Sequence, residues 1–162
     1  MAGQIGGGIE GVSGGLPQQN PTPLVYEKAG VTVIPIGTTS ANPIVLAQWK
    51  KTSSTGLDQA FFTVSYLGQF EGRRTAGASS LVYAIAVSND GVNFFDEQQA
   101  VFSGGAFQME NGNFQDRLHF EDESWFQVRV YANDGTTSGE IQNAKSVLSE
   151  IIPINNTVAR EI

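Results

Sequence analysis

The feature that most constrains this chain is an alternation of period two that turn residues interrupt before any run grows long. In 125–131, Phe126, Val128 and Val130 fall on one side and Trp125, Gln127, Arg129 and Tyr131 on the other, because successive side chains of a strand point to opposite faces. The first set reads as core, and the second as a mixed aromatic and polar face. In 60–67, Phe62, Val64 and Tyr66 oppose Phe61, Thr63, Ser65 and Leu67 in the same way. The segment 81–87 is apolar on both faces, which predicts a strand inside a sheet and not at its edge. Further strand-like runs lie at 24–28, 31–36, 44–49, 99–103 and 114–120. In 140–154, Val147, Leu148, Ile151 and Ile152 before Pro153 suit a strand with a bulge at least as well as a helix. Asn89-Asp90-Gly91, Asn111-Gly112 and Asn133-Asp134-Gly135 predict the positive φ angles of tight hairpins, hence antiparallel connections. The pattern predicts an all-β fold, an antiparallel β-sandwich or jelly roll.

The segment before these strands obeys a different rule. Residues 1–26 hold seven glycines, three prolines and a single charged residue, Glu10, with apolar residues that follow no period. Such a stretch cannot bury enough surface to offset its ordering entropy. The expected organisation is an extended glycine-rich arm over 1–23 and a β-sandwich body with a C-terminal tail over 24–162. Ile5, Ile9, Val12 and Leu16 are the arm's scattered apolar residues, and they are the candidates for anchoring it to another surface.

Composition narrows the function classes. At 162 residues the chain fits one domain able to bury a core without cross-links. It contains no cysteine, which removes disulfides, thiolate metal sites and a cysteine nucleophile. Nine Lys and Arg against 16 Asp and Glu give a net charge of −7, which a nucleic-acid backbone would repel. The basic doublets Lys50-Lys51 and Arg73-Arg74 read as solvated loop charges. The longest apolar run, 81–87, has seven residues where a membrane helix needs about 20. No nucleic acid and no membrane are expected as partners, and no signal peptide is expected at the N-terminus.

Two catalytic-looking patterns fall in the arm. Gly6-Gly7-Gly8-Ile9-Glu10-Gly11 matches a dinucleotide loop, but only five residues precede it where a strand is required. Gly11-Val12-Ser13-Gly14-Gly15 matches a nucleophile elbow without the α/β sheet that strains one. His119 is the only histidine, so any Ser-His-Asp arrangement would have to be built around it. Asp96-Glu97 and Glu121-Asp122-Glu123 offer adjacent carboxylates without the spacing of a hydrolase pair or a calcium loop. No catalytic residue, cofactor or metal site is expected. A hydrolase reading would rest on His119 or one of these acidic groups.

The stretch VYAIAVSNDGVNFF, residues 82–95, carries Ser88, Asp90, Gly91 and Phe94. It resembles the strand, S-x-D-G turn and aromatic strand of many β-sandwich modules, including discoidin-like carbohydrate-binding domains and phage virion proteins. In organisation the whole chain resembles small tailed-phage capsid decoration (cement) proteins. That resemblance implies a non-enzymatic subunit on the virion's capsid surface, partnered by the major capsid protein or another virion protein, and a homotrimer. Trp125, Arg129 and Tyr131 are then the candidate interface or glycan face. The alternative is a carbohydrate-binding or receptor-binding module that uses Trp49, Phe94, Phe95 or Trp125 as stacking platforms.

Overall fold

The computed structural model describes residues 23–50, 61–110, 116–121 and 125–151. Among these residues every regular element is a strand. In chain order they are β1 (Leu24–Lys28), β2 (Thr32–Ile34), β3 (Ile44–Lys50), β4 (Phe61–Ala76) and β5 (Leu81–Ser88). There follow β6 (Phe95–Phe102), β7 (Gln108–Glu110), β8 (Asp116–Glu121), β9 (Trp125–Ala132) and β10 (Ser138–Ile151). Residues 1–22 of the arm, with Ile5, Ile9, Val12 and Leu16, lie outside the described residues, as does the Asn111-Gly112 turn.

Pairing decides between the two predicted architectures. One sheet runs β1-β10-β4-β7, with β2 extending the β1 row along β10 and β8 extending the β7 row along β4; the other runs β3-β9-β5-β6. Taken as rows along the chain, the first pairs with the last, β3 with β9, β4 with β7 and β8, and β5 with β6, all antiparallel. This is a long hairpin ribbon wrapped on itself, the jelly-roll solution to burying one face of each sheet. As its two-sided apolarity predicts, β5 lies inside its sheet, between β9 and β6.

The inner faces meet in one core. Tyr66, Phe70, Ile141 and Leu148 from the six-stranded sheet pack against Leu81, Tyr83, Ile85, Phe126, Val128 and Val130 from the four-stranded sheet. The Phe70 and Tyr83 rings stack across the gap at 4.5 Å between centroids. Two phenols end on one serine: Ser146 Oγ lies 2.9 Å from the Tyr66 hydroxyl and 2.6 Å from that of Tyr83, with all three residues fully buried. Each hydroxyl therefore keeps a partner after leaving water. Burial raises both phenols well above the usual range, and the Ser146 contacts offset only part of that rise.

Local chemistry sets the irregularities. β10 is one strand with a bulge: its register against β4 slips between Gln142 and Lys145, and Asn143 takes a φ of 49° there. The slip leaves one extra residue on β10, a β-bulge, and asparagine is among the few residues that tolerate the left-handed conformation. The β5–β6 turn is built as predicted, with Gly91 at φ 75° and the Asp90 carboxylate accepting the N–H groups of Val92 and Asn93 at 2.8 Å each. A side chain at Gly91 would also strike the Trp125 ring, 2.8 Å from the position of its Cβ. The predicted positive φ at Asn133-Asp134-Gly135 is not found; Asp134 instead accepts the N–H of Thr136 at 3.0 Å, an Asx turn that needs no left-handed residue.

The Asp90 turn carries a pH signature. Its hydrogen bonds, first those from the Asn93 and Val92 backbone, hold the carboxylate well below the usual range. A depressed carboxylate stabilises the fold above its unfolded pKa of about 3.9 and loses that contribution as pH falls. Asp90→Asn should therefore melt below the parent at neutral pH, and the gap should close under acid conditions. Paired thermal melts at the two pH values check this.

Two sequence readings are corrected. Arg73-Arg74 belongs to β4 and not to a loop: Arg73 donates to Glu140 on β10 at 2.9 and 2.7 Å and lies over the Phe107 ring at 4.4 Å. Trp49 packs against the central core, as a partly buried residue, and is not an open platform.

Candidate functional site

A jelly roll leaves two outer faces, and both are informative here. On the six-stranded sheet the register aligns Val25 with Val147 and Val147 with Leu67, a row of three apolar side chains across β1, β10 and β4. Val25 is 50% exposed and Leu67 43%. The next row on that face is polar, with Glu27, Lys145 and Gln69 aligned and Lys145 Nζ 3.8 Å from Glu27 Oε2. The apolar row thus ends in a solvated border.

On the four-stranded sheet, strand alternation predicts an open mixed face of Trp125, Arg129 and Tyr131. The structure covers most of it. Arg129 is 8% exposed and Tyr131 5%, and Tyr131 joins Val82 and Ala84 in a second, smaller apolar cluster outside the main core. The cause lies in the neighbouring strand: Ala84 and Ala86 of β5 are small and sit beside Arg129 and Gln127 in register. Arg129 and Tyr131 can therefore reach across β5 to β6, while Gln127 turns the other way and donates to Gln48 on β3.

A guanidinium so placed requires a counter-ion, and Asp96 of β6 supplies it. Asp96 Oδ1 accepts from Arg129 Nε at 2.8 Å and lies 2.7 Å from Nη2. Asp96 Oδ2 accepts from the Tyr131 hydroxyl and from Gln99 Nε2, the latter at 2.9 Å. Burial first, and then the bond to Asp96, hold the Tyr131 phenol above its usual range. The carboxylate pair suggested by Asp96-Glu97 is absent, because Glu97 is the extra residue at the register slip in β6 and points to solvent, while both Asp96 oxygens are engaged.

Beside this cluster the outer face dips into a depression of about 400 Å³. Arg129 and Gln127 are polar residues of its lining; Pro43, Val45, Phe94 and Phe95 are apolar ones. Phe94 and Phe95, predicted as stacking platforms, thus come together with Arg129, and Phe95 is 71% exposed. Trp125 is elsewhere, at the end of the sheet against Gly91, with Lys50 Nζ 5.4 Å from its ring. His119 lies in β8 opposite Thr63. Asp122 and Glu123 fall outside the described residues. Among the described residues no group of three His, Cys, Asp or Glu side chains could hold a metal ion.

Sequence reasoning missed Asp96 as the partner of Arg129, and it missed Gln127 and the loop before β3. A usable signal existed: an arginine inside an alternating apolar strand calls for a carboxylate, and Asp96 lies just before the strand-like run 99–103.

No protein-family model matches the chain, and no curated protein matches it. Among solved structures, the Eiger TNF of S. frugiperda aligns at a TM-score of 0.43 and 10% identity, over 86% of this chain and 99% of that one. The infectious bursal disease virus Gx strain aligns at a TM-score of 0.32 and 9% identity, over 83% of this chain and 38% of that one. The VP2 subviral particle of infectious bursal disease virus aligns at 0.31 and 10%, over 90% of this chain and 46% of that one. At these scores and identities, none of the three carries an inference about what this chain does.

Proposed function

We propose that the chain is a non-enzymatic structural protein of a tailed-phage particle, a capsid decoration subunit that sits on the shell and holds neighbouring shell proteins together. The observation that carries this reading is the outward apolar row Val25, Val147 and Leu67, in which Val25 and Leu67 are exposed and Val147 is half-buried between them. It lies at the edge where β1 begins at Leu24, the point at which the glycine-rich segment 1–23 joins the sheet. Single exposed apolar residues are ordinary, whereas a contiguous row beside a glycine-rich segment suits a surface that a partner covers. The arm's extended backbone would lie along the neighbouring protein through main-chain hydrogen bonds, with Ile5, Ile9, Val12 and Leu16 buried on contact. Binding the assembled shell and not its separated parts then stabilises the shell by mass action. The partner is the major capsid protein or another virion protein, and the oligomer this reading expects is a homotrimer.

The test is rebinding to purified particles that lack the protein. A chain starting at Leu24 should melt within about 2 °C of the full chain, since the core lies within the body. Its occupancy on particles should fall at least about tenfold, equivalent to 1.4 kcal/mol. Equal rebinding by the truncated chain removes the anchor role, and a full chain that never co-sediments with particles removes the decoration reading.

A further inference from the structure

The depression on the four-stranded sheet has a buried polar floor whose hydrogen-bonding capacity is not used up among the described residues. Arg129 directs both Nε and Nη2 to one oxygen of Asp96, at 2.8 and 2.7 Å, and its Nη1 meets no acceptor among the described residues. Gln127 donates from Nε2 to Gln48 Oε1 at 2.8 Å, and its own Oε1 meets no donor among the described residues. Both residues are more than nine-tenths buried, and both line the depression. A residue with a spare donor and a residue with a spare acceptor thus line one space, whose lining also includes Pro43, Val45, Phe94 and Phe95.

The chemistry of a matching ligand follows. An entirely apolar ligand would take water from the guanidinium and the amide and return no hydrogen bond to either, which disfavours it. An anion gains little, because Asp96 already neutralises Arg129 and the chain carries a net charge of −7. A neutral ring fits best, with one hydroxyl accepting from Arg129, a second donating to Gln127, and a C–H face set against Phe95. We infer that this depression, lined by Arg129, Gln127, Phe94 and Phe95, binds a neutral saccharide. Its volume of about 400 Å³ lies within the span of small-molecule sites. The inference goes beyond the decoration role and stands or falls separately from it, since particle binding would use the opposite sheet.

The experiment titrates the full chain, isotope-labelled for amide NMR, with glucose, galactose, mannose and N-acetylglucosamine and their disaccharides, and with glucuronate as the charged comparison. At least one neutral sugar should shift the amides of 92–95, 127 and 129 with a Kd below about 10 mM. Phe95→Ala, whose side chain stands mostly in solvent, should weaken that binding at least tenfold with an unchanged melting temperature. Phe94→Ala provides a second wall variant, and Arg129 is left intact because removing it would strand Asp96. The inference is overturned if no neutral sugar shifts these amides up to about 50 mM. It is equally overturned if Phe95→Ala binds as well as the parent, or if glucuronate outcompetes every neutral sugar.

Discussion

Raising the pH from 10 to 12 should leave the tyrosines silent at first and then unfold the protein in one cooperative step. The chain has four tyrosines, at 26, 66, 83 and 131, and in the folded state all four phenols are held above their ordinary pKa of 10.0. Burial is the leading cause for each. A raised phenol costs nothing below the unfolded pKa, where both states hold the proton; above it the unfolded chain releases a proton that the folded chain keeps. Stability therefore falls as pH rises through and beyond 10, by about 1.4 kcal/mol per pH unit for each such group. Tyr66 and Tyr83, fully buried around Ser146, should together remove roughly 5 kcal/mol by about pH 12. That is comparable to the whole stability of many domains, about 5–15 kcal/mol. Tyrosinate absorbance and near-ultraviolet circular dichroism should change together, and Tyr83→Phe should move the transition to higher pH. Tyrosinate absorbance rising gradually around pH 10 with the dichroism intact would contradict the buried arrangement.

The second large effect lies on the opposite side of the four-stranded sheet. Asp96→Ala should destabilise the fold by roughly 3 kcal/mol, because it leaves the Arg129 guanidinium, with a side chain only 9% exposed, without its carboxylate. It also removes the acceptor of the Tyr131 hydroxyl. For a chain of this length the loss corresponds to a melting temperature lower by roughly 6–12 °C. Replacing the pair together, as Asp96→Leu with Arg129→Met, should recover most of it, since two well-packed apolar groups carry no desolvation cost. Thermal melts of the single and double variants measure the coupling. A single variant that loses less than about 1 kcal/mol would mean that water reaches the guanidinium freely.

Much of the strand inventory was legible from side-chain period alone. The alternation of Phe126, Val128 and Val130 set the inner face of β9 without knowledge of its neighbours, and the two-sided apolarity of 81–87 placed β5 inside a sheet. Asn89-Asp90-Gly91 specified its own turn, because the φ of Gly91 and the bonds of Asp90 involve residues within three positions of each other. The short β7 was not legible: Gln108, Met109 and Glu110 have no apolar alternation and become a strand only because β4 runs on past Leu67 to receive them.

Side-chain period and turn chemistry, then, settled features with a local cause: the extension of the strongly alternating segments, the inward side of each, and the reversal at Asn89-Asp90-Gly91. Tertiary structure decided the rest. Whether the strands form an open sandwich or a jelly roll depends on pairings such as β1 with β10 and β3 with β9, between segments far apart in the chain. Those pairings are selected by the fit of the whole core and not by any one strand. The same holds for the candidate site. Alternation assigns Arg129 and Tyr131 to the outer side of β9, but an outer side is open only if nothing lies over it. Here the small Ala84 on β5 lets Arg129 reach across to β6, where Asp96 completes the bonds of both Arg129 and Tyr131. Period fixes direction, while burial depends on which neighbours arrive, and that information is spread across three strands.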